Sequence, residues 1–191
     1  MEKDLKSGQD ITPSFVNTQL DEILAREITS FIDVDSDAAM MSFNLATISC
    51  ITLIVERERE IRQYTDFPPE RYQLEGFTSE LVDIGLEKDD DLDAAILSSL
   101  KTGYISEDET GDFKAEMPSF MMAGFLDTMF PGMQGMNLVA FVLQMNHEVN
   151  SGRKTLELAK QSFASALKSR GVSVSRDHAE KRASEMASGT Q

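Results

Sequence analysis

The feature that most constrains the fold is an uncharged run of 18 residues at positions 38–55 (AAMMSFNLATISCITLIV). A run of this length just reaches the threshold for a membrane-spanning helix. Its flanks (DSD and ERERE) carry neither a Lys/Arg-rich side nor an aromatic belt. Polar side chains also interrupt the run, at Ser42, Asn44, Thr47, Ser49 and Thr52. We therefore predict a central helix that is buried on most sides, and no membrane span.

A helix that is apolar on most sides needs cover on most sides. Homodimerisation over the uncharged run is one way to supply that cover. The charges alternate in sign over residues 56–62, where Glu58 and Arg62 have the i,i+4 spacing of a helical ion pair. This pattern predicts that the helix leaves the core into water before Pro68 and Pro69 end it.

Hydrophobic periodicity along the rest of the chain predicts a mainly α-helical fold with one small β-hairpin. Residues 1–14 lack the basic-then-apolar order of a signal peptide, and we expect a flexible tail there. We expect N-terminal helices and an acidic unit over residues 15–116. A Met-rich and basic helical extension over 117–187 and a frayed tail over 188–191 should follow. The predicted helices outside the central one are 14–32, 72–86, 92–101 with Asp91 as its N-cap, 118–130, 136–150, 153–170 and 175–186.

The order helix, turn, helix and then a hairpin that opens with Gly103-Tyr104-Ile105 resembles a winged-helix domain. The resemblance covers about residues 40–116 if the central helix supplies the first helix of that fold. Winged helices usually bind DNA through the second helix and the wing. Here those two elements are acidic, so the resemblance implies a degenerate winged helix used for protein interaction or dimerisation. The acids are Asp91, Asp93, Glu107, Asp108, Glu109 and Asp112.

The net charge of −15 is unevenly distributed. Residues 1–115 carry 26 acids and 10 bases, whereas residues 116–191 carry 7 acids and 8 bases. A surface as negative as the first part repels phosphate backbones and anionic lipid headgroups. We therefore do not expect residues 1–115 to bind nucleic acid.

The predicted helix 153–170 places Arg153, Lys160 and Lys168 on one face. Three interpretations stay open for this basic face. It is a solvated surface, a docking site for an acidic partner such as the acidic half of a second copy, or a DNA contact. In the last case the protein would be a winged-helix-type transcriptional regulator that binds DNA through its basic C-terminal helices.

Catalytic and metal-binding motifs are absent from the sequence. Two His and one Cys are too few for a His/Cys zinc site. Asp33, Asp35 and Asp37 have the spacing of the first ligands of an EF-hand loop. However, Ala38 stands where that loop needs Gly, and Asn44 where it needs a bidentate Glu. We expect no metal, no cofactor and no enzymatic activity.

Seven of the 11 methionines fall within residues 117–145. Methionine packs irregular cores, and exposed clusters of it also form adaptable binding grooves. Both interpretations stay open. On the second, we predict a cytoplasmic adaptor or assembly subunit that binds other proteins, with homodimerisation as a further option. The candidate contact residues are Met121, Met122, Phe125, Met129, Met133 and Met136.

Overall fold

The computed structural model describes residues 13–32 and 43–167, which form seven helices and one two-stranded antiparallel hairpin. The prediction of a mainly α fold with a small hairpin is confirmed. The elements are α1 (Pro13–Ile32), α2 (Leu45–Gln63), α3 (Leu74–Asp83), α4 (Asp90–Lys101), β1 (Ile105–Glu107), β2 (Phe113–Ala115), α5 (Met117–Met129), α6 (Met136–Asn150) and α7 (Leu156–Leu167).

Helix α2 is the centre of the molecule. It begins after Asn44, whose side chain accepts a hydrogen bond from the Thr47 N–H at 2.8 Å. All residues from Leu45 to Val55 except the half-buried Ala46 are buried. Helices α3, α4, α5 and α6 and strand β2 pack around it. The predicted burial of the central helix is therefore confirmed.

A single copy of the chain already covers α2, so the argument for a second copy over this helix no longer holds. The expected Glu58–Arg62 pair is also wrong. The Glu58 carboxylate is buried and accepts two hydrogen bonds from Arg71, at 2.8 and 3.2 Å. Across the described ranges, no helix is long and apolar enough to cross a bilayer.

Helices α3 and α4 and the hairpin follow α2 in the order that the winged-helix resemblance predicts, although the resemblance itself stays a prediction. The N-cap of α4 is Asp89, which accepts from the Leu92 N–H at 3.0 Å. The predicted cap, Asp91, lies inside the helix. In the hairpin, Ile105 pairs with Ala115 and Glu107 with Phe113.

The hydrophobic core is continuous across residue 116. Helix α1 packs on α6 and α7, and α2 packs on α5 and α6. The N-terminal helix α1 therefore packs directly on the helices of the predicted C-terminal extension. Helix α7 starts at Leu156, three residues later than predicted. The predicted helix 175–186, the tail 188–191 and the acids of the segment 33–37 lie outside the described residues.

A charge at the centre of α2 tests the burial of this helix. Ile48 is 1% exposed, so Ile48→Asp places a carboxylate where water cannot reach it. We expect a loss of several kcal/mol in the free energy of unfolding, enough to unfold the chain. The measurement is circular dichroism with urea denaturation.

The matched control is Leu97→Asp on α4, because the Leu97 side chain is exposed. It should change the free energy of unfolding by less than about 1 kcal/mol. An Ile48→Asp protein as stable as this control would contradict the assignment.

Candidate functional site

Helix α5 is apolar on nearly all sides but buried on one side only. Among its 13 residues Asp127 is the single charged one. Its inner side is formed by Ser119, Ala123, Leu126 and Met129, which are buried against the core. On the opposite side, Met117 and Met121 are each 69% exposed. Soluble helices normally place polar residues on such a side, so this exposure requires an explanation.

Four residues form what we call the α5 outer face: Met117, Met121, Met122 and Phe125. Met117, Met121 and Phe125 recur every four residues, so their side chains lie on one side of the helix. Met122 and Phe125 are half-buried and continue the apolar surface toward the core. The neighbouring Phe120 carries the Arg62 guanidinium over its ring, 4.9 Å from the ring centroid. This cation–π contact gives the apolar face a basic edge.

The six candidate contact residues predicted from the sequence differ in their burial. Met121, Met122 and Phe125 belong to the outer face, and Met136 is half-buried at the start of α6. Met129 and Met133 are 3% and 2% exposed, so they fill the core and are not available as contact residues. Met117 was missed, although its spacing from Met121 places the two on one helical face.

Two carboxylates hold the end of α5 and the start of α6. The Asp127 Oδ1 accepts from the Gly135 N–H at 2.9 Å, and the Glu56 Oε1 accepts from the Met136 N–H at 3.0 Å. The Asp127 Oδ2 also lies 3.6 Å from Arg59 Nη2 on α2. The Glu56 contact satisfies a free amide at the N-terminus of α6 and places a negative charge there. These contacts fix the position of the outer face relative to α2.

Of the predicted basic face, the structure describes Arg153 and Lys160. Arg153 precedes α7, and its Nε donates to the Ser151 hydroxyl at 3.0 Å. Lys160 Nζ donates to Gln19 Oε1 on α1 at 2.9 Å. Lys168 lies outside the described residues. The nearby Lys154 pairs with Glu148 at 2.6 Å, which lowers the pKa of that carboxyl.

Acidic residues dominate both α4 and the hairpin, the two elements that would contact DNA if the predicted winged-helix resemblance holds. Helix α4 has Asp90, Asp91 and Asp93 in its first turn. In the hairpin turn, Lys114 pairs with Asp108 at 2.7 Å, and this hydrogen bond lowers the pKa of Asp108 well below its usual range. The one base of the hairpin is therefore already engaged by an acid.

A polar cleft of about 370 Å³ lies between α1, the start of α2, the loop before α4 and α6. An amide ladder crosses it, in which Asn150 donates to Asn146 and Asn146 donates to Asn17. Asp21 Oδ1 accepts from the Leu45 N–H at 2.8 Å. Burial raises the pKa of Asp21 to about 6; the Leu45 hydrogen bond opposes this rise and Asp91 adds to it.

The described residues form neither a metal-binding cluster nor a reactive thiol. Within residues 13–32 and 43–167, no three His, Cys, Asp or Glu side chains are placed to hold a metal ion. Cys50 is fully buried, and burial raises the pKa of its thiol to about 12, which leaves the thiol unreactive at neutral pH.

Comparison of the chain with protein-family models, with curated proteins and with solved structures gives no match.

Gly135 is a position in the loop after α5 where an added side chain would be strained and would also collide with a neighbour. Its φ is +57°, and an added Cβ would collide with Glu56 Oε1. Gly135→Ala should therefore strain the backbone and displace Glu56 from the start of α6. We expect a loss of roughly 1–3 kcal/mol in the free energy of unfolding, measured by urea denaturation.

Gly124→Ala in α5 is the matched control, because no atom lies within 4 Å of the added Cβ apart from its chain neighbours and the nearby backbone of its own helix. It should be neutral or stabilise the helix by up to about 1 kcal/mol. Equal stability of the two variants would show that the Glu56 and Asp127 contacts do not hold this loop.

The buried Asp21 carboxyl predicts a pH dependence. Its folded pKa of about 6 lies above its ordinary value of 3.8, so its contribution to stability is complete below 3.8 and is lost as the pH rises through 6. Asp21→Asn keeps an acceptor for the Leu45 N–H and removes the charge. At pH 7.5 the variant should be more stable than the wild type by roughly 1–3 kcal/mol.

The difference between the two proteins should shrink toward zero as the pH falls below 4. Asp89, Asp91, Glu87 and His147 line the same cleft and are present in both proteins, so the difference isolates Asp21. Urea denaturation at several pH values measures it. A variant that is less stable than the wild type at pH 7.5 would contradict the assignment.

Proposed function

We propose that this chain is a non-enzymatic protein-interaction module, an adaptor or assembly subunit, and that it binds partner proteins through the α5 outer face. The observation that supports the proposal is the exposure of Met117 and Met121 on a helix whose other side is in the core. Exposed apolar side chains at helical spacing favour binding because a partner removes them from water, at roughly 25 cal/mol for each Å² buried.

The chemistry of this face favours a helical partner. Apolar residues at i, i+4 and i+8 on a rigid helix fit the grooves between the side chains of a second amphipathic helix. The thioethers of Met117, Met121 and Met122 adapt to irregular partner surfaces. Arg62 at the edge favours a partner with acidic residues beside its apolar stripe.

The winged-helix resemblance is part of the same proposal. The order of α2, α3, α4 and the hairpin supports it, and the acids on α4 and in the hairpin turn favour a unit that contacts protein. A cytoplasmic location is also proposed. Its support is a single cysteine, Cys50, which is buried as a free thiol.

Affinity capture from the native host's lysate tests the proposal, with the wild type compared with a Met117→Gln, Met121→Gln double variant. Each change keeps the length of the side chain and removes its apolar character. We expect one or two partner proteins in near-equal amounts with the wild type, and at least a tenfold lower recovery with the double variant.

Leu158→Gln on α7 is the control, because Leu158 is also an exposed apolar residue. It should recover partners as the wild type does. Nuclease treatment distinguishes the other candidate function. If capture disappeared with nuclease and not with the double variant, the protein would bind nucleic acid, and the α5 proposal would be wrong.

A further inference from the structure

A second apolar feature lies far along the chain from α5, in the loop of residues 64–73. Phe67 at its tip is 90% exposed, more than any other large apolar side chain described. Other phenylalanines of the chain, such as Phe77 and Phe113, are buried against each other with their ring centroids 5.5 Å apart. The ring buries almost no area against the rest of the described chain, which leaves it available to bind a partner.

The loop that carries Phe67 is anchored at both ends. At its start, the Tyr64 N–H donates to the Glu60 carbonyl at 2.9 Å. At its end, Arg71 makes two hydrogen bonds to the buried Glu58, and the Phe113 N–H donates to the Tyr72 carbonyl at 2.7 Å. These bonds tie the loop to α2 and to the hairpin.

Arg57 adds a third anchor to the end of the loop. Its guanidinium lies over the Tyr72 ring, 4.1 Å from the ring centroid, and also donates to the Tyr72 hydroxyl and to the Glu70 carbonyl. The exposed tip is therefore carried by a loop whose two ends are held in place by these contacts.

Two prolines stiffen the tip itself. Pro68 and Pro69 each hold φ near −65°, and each restricts the residue before it to extended conformations. Phe67 precedes Pro68 and Pro68 precedes Pro69, so both residues are restricted in this way. The prolines also lack an N–H, which leaves this stretch unsuited to pairing with a β-strand. A short extended segment of this type loses little conformational entropy when it binds.

We propose that Phe67-Pro68-Pro69 is a docking segment, and that its partner is a folded domain with an aromatic-lined groove and a basic rim. Aromatic-lined grooves are the surfaces that recognise preformed proline-containing segments. The basic rim follows from charge: Asp66 and Glu70 flank the segment, and residues 66–116 carry 15 acids against 4 bases. A second copy that met this segment with its own residues 66–116 would bring the same acids to the contact and be repelled, which argues against pairing of the segment with itself.

Binding of the full-length chain to purified WW and SH3 domains tests the proposal. The panel includes members with Lys or Arg at the groove rim and members without them, and biolayer interferometry measures the affinity. We expect at least one basic-rimmed domain to bind with a Kd below about 100 µM. Phe67→Ala should weaken that binding at least about tenfold, since it removes the apolar anchor.

Further variants assign the effect to the segment and not to exposed apolar surface in general. Leu97→Ala is the matched control, because Leu97 is 66% exposed on α4, and it should bind as the wild type does. The double variant Asp66→Lys, Glu70→Lys should also bind at least about tenfold more weakly, because its charges repel a basic rim.

Three outcomes would overturn the proposal. The first is that no domain of the panel binds at 100 µM. The second is that Phe67→Ala and Leu97→Ala bind equally well. The third is a dimer of the wild type that Phe67→Ala dissociates, measured by light scattering. The Met117→Gln, Met121→Gln variant should bind the panel normally, so failure here and failure of the α5 proposal are distinguishable.

Discussion

The structure depends on the burial of the first three turns of α2 within one copy of the chain. The residues from Leu45 to Val55 are covered by four helices and a strand, and two polar groups among them have local hydrogen-bond partners. The Ser49 hydroxyl, for example, donates to the Leu45 carbonyl one turn earlier at 2.7 Å. Because the Ser49 hydroxyl bonds within the helix and the Thr47 N–H bonds at its cap, these polar groups are compatible with the burial of the first three turns of α2. The other elements take their positions from it.

The charged continuation of α2 organises the surfaces. Glu56 caps the start of α6, and Arg59 meets Asp127 at the end of α5. Between them, Arg57 and Glu58 hold the loop of Phe67 through Tyr72 and Arg71. Four consecutive residues of one helix therefore position both the α5 outer face and the exposed loop tip. Ion pairs at such half-buried places contribute little net stability, but they define geometry because their partners are specific.

The two candidate surfaces fit partners of different shape and opposite charge. The α5 outer face is a straight apolar surface with Arg62 at its edge, which suits a helix with acidic flanks. The loop tip is a single aromatic ring beside two prolines within the acidic part of the chain, which suits a groove with a basic rim. Under the two proposals, these opposite charge requirements would let one chain bind two different proteins without competition between them. An adaptor needs this property.

The sequence alone determined the fold class, most helix boundaries to within a few residues and the burial of the uncharged run, because these follow from the periodicity of apolar residues and from local caps and breakers. Tertiary structure decided which methionines are exposed, because Met117 and Met129 both lie on one apolar helix and only packing selects its inner side. It also decided the partners of the charged segment. Glu58 is spaced to pair with Arg62 along the helix, yet it binds Arg71 from the loop that follows α2, because a buried carboxylate needs two well-placed donors and the bidentate guanidinium supplies them. Periodicity identifies a face; which face is covered, and by what, is settled by contacts between residues far apart in the chain.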